Sequence, residues 1–64
     1  MNPPEPGTVV RFFDENHAHR VGRFIRVMGR GKDKGAWRLD TRAGFRNVPL
    51  NRIYYVSQEP PQQG

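Results

Sequence analysis

An all-β fold, a small barrel of five short strands, is what this sequence predicts, and three observations carry it. β-branched and aromatic residues gather in short runs, Gly, Pro and polar clusters separate those runs, and Ala36 to Thr41 alternates almost perfectly. The 64 residues form one domain, and without the Pro-rich ends about fifty remain to fold, near the lower limit for an unaided core. No cysteine is present, so neither a disulfide framework nor a thiolate zinc site supports that core.

Each element follows in order. Residues 1–7 contain Pro3, Pro4 and Pro6, and residues 57–64 contain Pro60, Pro61 and three glutamines; both ends are expected to be disordered tails around a folded segment of residues 8–56. Thr8 to Phe13 follows the Pro6-Gly7 turn signal and forms the first strand, with Val10 and Phe12 on one face. Asp14 to Arg20 is a polar connecting loop. The second strand runs from Val21 to Met28 with Ile25 and Val27 inward and Phe24 and Met28 outward, its imperfect alternation reconciled by a bend near Gly22.

Gly29 to Gly35, with three glycines and three cations, is a flexible loop. Ala36 to Thr41 then alternates, Trp37, Leu39 and Thr41 sharing one face and Arg38 and Asp40 the other. Arg42-Ala43-Gly44 closes a tight hairpin into Phe45 to Val48, Pro49 ends that strand, Leu50 to Arg52 has the length of one 3₁₀ turn, and Ile53 to Val56 is the closing strand.

This order resembles an SH3-like barrel over residues 8–56. Two local features carry the likeness: Trp37 at the start of the third strand, and Val48-Pro49-Leu50-Asn51-Arg52-Ile53, which resembles the (Ile/Val)-Pro-x-Asn-x-(Ile/Val) segment that ends SH3 domains. The arrangement is similar to the short barrels of ribosomal and transcription proteins. It also looks like accessory subunits of photosynthetic complexes, such as the S subunit of the NAD(P)H dehydrogenase-like complex and the E subunit of photosystem I. A Pro-Gly-x-x-Val-Arg-like opening begins the barrel there, as Pro6 to Arg11 does here, and that resemblance implies a basic surface docking an acidic electron carrier. The fold hosts many unrelated roles, so function has to be argued from residues.

Eleven Lys and Arg stand against six acids, a net charge of +5, and nine of the eleven are Arg, whose planar fork suits phosphate and carboxylate oxygens. Inside residues 8–56 only Asp14, Glu15, Asp33 and Asp40 oppose the eleven cations, leaving +7. Attraction to an anionic partner is expected. Arg23, Arg26, Arg38, Arg42 and Arg46 fall on or beside strands two to four and are expected to form one stripe, with Arg30, Lys32 and Lys34 reaching from the glycine-rich loop. Phe24, Trp37, Tyr54 and Tyr55 are candidate aromatic contacts for bases or for a protein, Trp37 being also a core candidate because it shares a face with Leu39.

Other chemistries have little support. Ser57 is the single serine and no carboxylate pair has acid-base spacing, so no catalytic residue is assigned and no enzyme is expected. His17 and His19 beside Asp14 and Glu15 fall short of a full ligand set, so no metal and no cofactor is assigned. Gly29-x-Gly31-x-x-x-Gly35 lacks the spacing and the following helix of a nucleotide cradle. No run is long and apolar enough for a membrane span or a signal-peptide core. The sequence is thus expected to encode a non-catalytic, cytoplasmic module, monomeric on its own, that binds RNA or DNA through phosphates with low sequence specificity. The alternative is an accessory subunit whose basic face docks an acidic protein or larger complex. A weaker third reading is peptide recognition in a groove around Trp37, Pro49 and Tyr54 or Tyr55.

Overall fold

The computed structural model describes residues 2–60. Five strands run in chain order as β1 (Val9–Phe13), β2 (His19–Val27), β3 (Trp37–Thr41), β4 (Gly44–Val48) and β5 (Ile53–Val56), with 3₁₀ turns at Gly31–Asp33 and Leu50–Arg52. All pairings are antiparallel and build one sheet in the order β4-β3-β2-β1-β5. The all-β expectation holds, and the ladder leaves β4 and β5 as its two edges.

Alternation decides which residues enter the core. Val10 and Phe12 from β1, Phe24 from β2, Trp37 and Leu39 from β3 and Val48 from β4 are buried together, and Ile53 and Val56 of β5 pack against them. Phe24 meets Trp37 edge to face, with ring centroids 5.1 Å apart and planes at 77°, a geometry that places a positive ring edge on a negative ring face.

β2 departs from its sequence reading. It starts at His19, and Phe24 points inward at 5% exposure while Val27 is 39% exposed. The irregularity lies between Phe24 and Arg26 rather than near Gly22. Gly22 faces inward at a close approach of β2 to β3: a Cβ there would stand 3.0 Å from Thr41 Cγ2 and 3.1 Å from the Asp40 carbonyl oxygen. Because Gly22 and Phe24 both point in, the extra residue Ile25 resets the alternation, and Arg23 and Arg26, three positions apart, both face out.

The glycine-rich stretch also carries more structure than a flexible loop. Gly31 (φ 76°), which opens the Gly31–Asp33 turn, and Gly35 (φ 88°), two residues past it, occupy left-handed conformations, and this is the second such turn where the sequence indicated one. Met28 N–H donates to Ala36 O at 2.8 Å and Gly35 N–H to Met28 O at 2.8 Å, closing the segment at its base. At the chain ends, Gly7 N–H donates to Phe24 O and Ser57 N–H to Val9 O, so the ladder reaches one residue into each expected tail. Met1 and residues 61–64, which complete those tails, lie outside the described residues.

Candidate anion-binding site

The expected single arginine stripe is divided by the pleat of the sheet. On β3, Trp37 and Leu39 point into the core, so Arg38 and Asp40 point out, and register sets Arg26 opposite Arg38 and Arg23 opposite Asp40. On β4, Phe45 pairs with Asp40 and Asn47 with Arg38, but Arg46 pairs with inward-pointing Leu39. Arg46 therefore belongs to the other face, at an edge that no further strand covers, and Arg42 sits at the hairpin between β3 and β4. Arg30, Lys32 and Lys34 stand in the β2–β3 connection. Lys32 and Lys34 border a shallow depression with Pro49 and Leu50.

The outer-face arginines already have company. Arg38 Nη1 donates to Asn47 Oδ1 at 3.2 Å, its guanidinium carbon lies 4.9 Å from the Phe45 ring centroid, and Asn47 Nδ2 in turn donates to Asp33 Oδ2 at 3.0 Å. Arg23 Nη1 donates to the Gly7 carbonyl at 2.9 Å. Arg26 faces Arg38 across the strand pair, a like-charge juxtaposition, and among the described residues makes no side-chain hydrogen bond or ion pair of its own.

The inner-side arginines border a concavity instead. A pocket of about 490 Å³ opens between the β1–β2 loop, the β3–β4 hairpin and the segment around Pro49. Arg20, Arg42, Arg46 and Arg52 line it against Asp14 and Glu15, with Pro49 exposed at its side and the core residues Phe12 and Val48 buried behind it. Among the described residues the one ion pair is Arg20 Nε to Asp14 Oδ2 at 2.8 Å. Arg42, Arg46 and Arg52 have no such partner. Sequence reasoning had selected Arg42 and Arg46 and missed Arg20 and Arg52, which lie in a loop-to-strand junction and a 3₁₀ turn. The Asp14 to Arg20 pairing across a short β connection was the available signal for the first; local sequence offered none for the second.

Asp14 organises the pocket wall. Its Oδ1 accepts from Asn16 N–H at 2.8 Å and Ala18 N–H at 3.0 Å, while its backbone exchanges two more bonds, donating to Ala18 O and accepting from His17 N–H. His17 takes φ 62°, the left-handed turn that this closure requires. The hydrogen bond from Arg20, reinforced by that from the Ala18 amide, lowers the Asp14 carboxyl from 3.8 to about 2. The carboxylate thus stays ionised and holds the loop and Arg20 together.

The aromatic candidates also divide. Phe24 and Trp37 are 5% and 2% exposed, so both rings belong to the core and neither offers a face to a partner. The physical reason is that both fall on the inward parity of adjacent strands and fill the centre of the core. Tyr54 and Tyr55 are 45% and 47% exposed, joined by Phe45, which is 60% exposed and was not singled out. Tyr54 packs on Phe13 at 4.7 Å between centroids and its hydroxyl lies 2.9 Å from His19 Nδ1; Arg11, another unselected cation, lies over Tyr55 at 5.9 Å. His17 and His19 do not converge with carboxylates: among the described residues no three His, Asp or Glu side chains group closely enough to hold a metal. No described helix is long and apolar enough to cross a membrane.

Compared with family models, with curated proteins and with solved structures, the chain finds no match.

Proposed function

We propose that the chain is an SH3-like, incompletely closed barrel that acts as a non-catalytic binding module for RNA or DNA, holding phosphates with low sequence specificity. Support for the barrel comes from the strand order, with the first strand flanked by the second and the last, and from the 3₁₀ turn that leads from β4 into β5. The observation that carries the binding reading is the surplus of unneutralised guanidinium groups. Eleven cations face four acids within residues 8–56, and a single ion pair forms among the described residues. Such a surface is held apart by self-repulsion and gains most from a polyanion whose condensed counterions are released on contact.

Fluorescence anisotropy of short labelled RNA and DNA across a salt series tests this. The expected outcome is saturable binding whose log affinity falls linearly with log salt, with a slope of about −3 for roughly four phosphate contacts to a single strand. Absence of binding at low salt would sink the reading.

One observation keeps a second reading, an accessory subunit docking an acidic protein. Val21, 45% exposed, and Tyr55 flank Arg11 in one row across β2, β1 and β5, an apolar and aromatic patch of the kind that anchors protein interfaces. Loss of an acidic partner on Tyr55→Ala, with nucleic acid left unbound, would favour it.

A further inference from the structure

Resting on the nucleic-acid reading above, we infer that the pocket between the β1–β2 loop and the β3–β4 hairpin takes one unstacked nucleotide, which makes the protein a binder of single strands in preference to duplexes. Three features of the pocket combine. Its volume of about 490 Å³ falls within the range of roughly 300–1,000 Å³ of small-ligand sites. Its apolar lining that is open to a ligand is Pro49, exposed beside the buried core residues Phe12 and Val48, and one flat ring is enough to lie against one face of a base. Its rim carries Arg42, Arg46 and Arg52, whose forks are uncommitted among the described residues and match phosphate oxygens in a bidentate manner.

A duplex cannot use this arrangement. Its bases are stacked inside and its phosphates lie on a convex surface, so filling the pocket would require extruding a nucleotide at the cost of pairing and stacking. A single strand offers the base and the flanking phosphates together. On the outer face, by contrast, Arg38 is already bonded to Asn47, so that surface can contribute charge without selecting strand type.

The wall adds a fixed edge. The Asp14 bonds set the path of the loop that bears Glu15 and Asn16, both of which line the pocket. Arg20, which also lines the pocket, is paired with Asp14.

The test is anisotropy at one moderate salt concentration with a short labelled single strand and the same sequence as a duplex, using two charge-matched double variants of the full chain. R42A/R46A removes two cations from the pocket; R26A/R30A removes two from outside it. The expected results are tighter binding of the single strand than of the duplex, although the duplex has the higher charge density, and a loss of about tenfold or more for R42A/R46A against about threefold or less for R26A/R30A. Equal losses for the two doubles, or a duplex bound as tightly as the single strand, would overturn the inference while leaving a phosphate-binding function standing. Binding of neither nucleic acid at low salt would overturn both. Circular dichroism checks folding of each double. If R42A/R46A is unfolded, R42K/R46K replaces it: kept charge without the fork should give a severalfold loss at unchanged salt slope, and wild-type affinity would count against the pocket.

Discussion

The arginines of the outer face and those around the pocket carry the same charge and differ in their surroundings. Arg23 and Arg38 are bound to a carbonyl, an amide and an aromatic ring of the protein itself. Arg42, Arg46 and Arg52 project around a concavity, with no ion-pair partner among the described residues. Strand parity separates Arg38 from Arg46: Arg38 and Leu39 are neighbours in sequence and point to opposite sides, and β4 inherits the division through its register with β3, while Arg42 and Arg52 reach the pocket from a hairpin and a 3₁₀ turn. Charge density is what the proposed binding role rests on, whereas the pleat decides which charges lie on the same face.

The largest effect should come from the residue that fixes that parity. Trp37→Ala removes the largest fully buried side chain of the core, with an expected loss of about 3–5 kcal/mol, comparable to the whole stability of a domain this small. Urea unfolding should find little or no folded protein, and a cooperative transition near that of the wild type would contradict the central place given to Trp37.

Next comes Gly22→Ala, which would press a methyl group to within 3.0–3.1 Å of Thr41, Asp40 and Leu39. Separation of β2 from β3 should cost about 1–3 kcal/mol, read as a lower denaturant midpoint. An unchanged midpoint would show that the two strands have room to part.

The comparison itself is sharpened by two single arginine changes. Arg38→Ala gives up the Asn47 hydrogen bond and the Phe45 contact, an expected loss of about 1 kcal/mol. Arg46→Ala, with no intramolecular partner among the described residues, should alter stability by less than about 0.5 kcal/mol. Thermal midpoints in the reverse order would break the contrast between committed and uncommitted arginines.

The smallest expected effect is confined to one loop. The Asp14 carboxyl lies at about 2 in the folded protein against an ordinary 3.8, so its contribution to stability is fully present above 3.8 and is lost as pH falls toward 2. Amide exchange at Asn16 and Ala18, whose N–H groups donate to Asp14, should accelerate over that window while the β3 amides are less affected. Uniform acceleration throughout the sheet would assign the acid sensitivity elsewhere.

Much of the fold was legible in the chain because alternation is a local property. Val10 and Phe12 on one face, Trp37 and Leu39 on another, the Arg42 to Gly44 hairpin and the 3₁₀ turn after Pro49 all follow from neighbours within a few residues. β2 resisted the same reading. Its alternation is reset at Ile25, where the register with β3 shifts, and that pairing lies outside any local window. The sequence showed the charge of the candidate site and not the placement of its residues. An excess of Arg over acids predicted an anion partner, but Arg46 left the expected stripe, Arg20 and Arg52 joined the pocket, and Phe24 and Trp37 turned out to be core.

By itself, then, the sequence determined a small basic all-β protein with five strands, since strand formation and net charge depend on composition and on period-two patterning. Tertiary structure alone decided which arginines face each other, where the extra residue in β2 is absorbed and where a concavity opens. Those properties arise from register and strand order, and register is set by contacts between residues distant along the chain, such as Leu39 with Arg46 and Phe24 with Leu39.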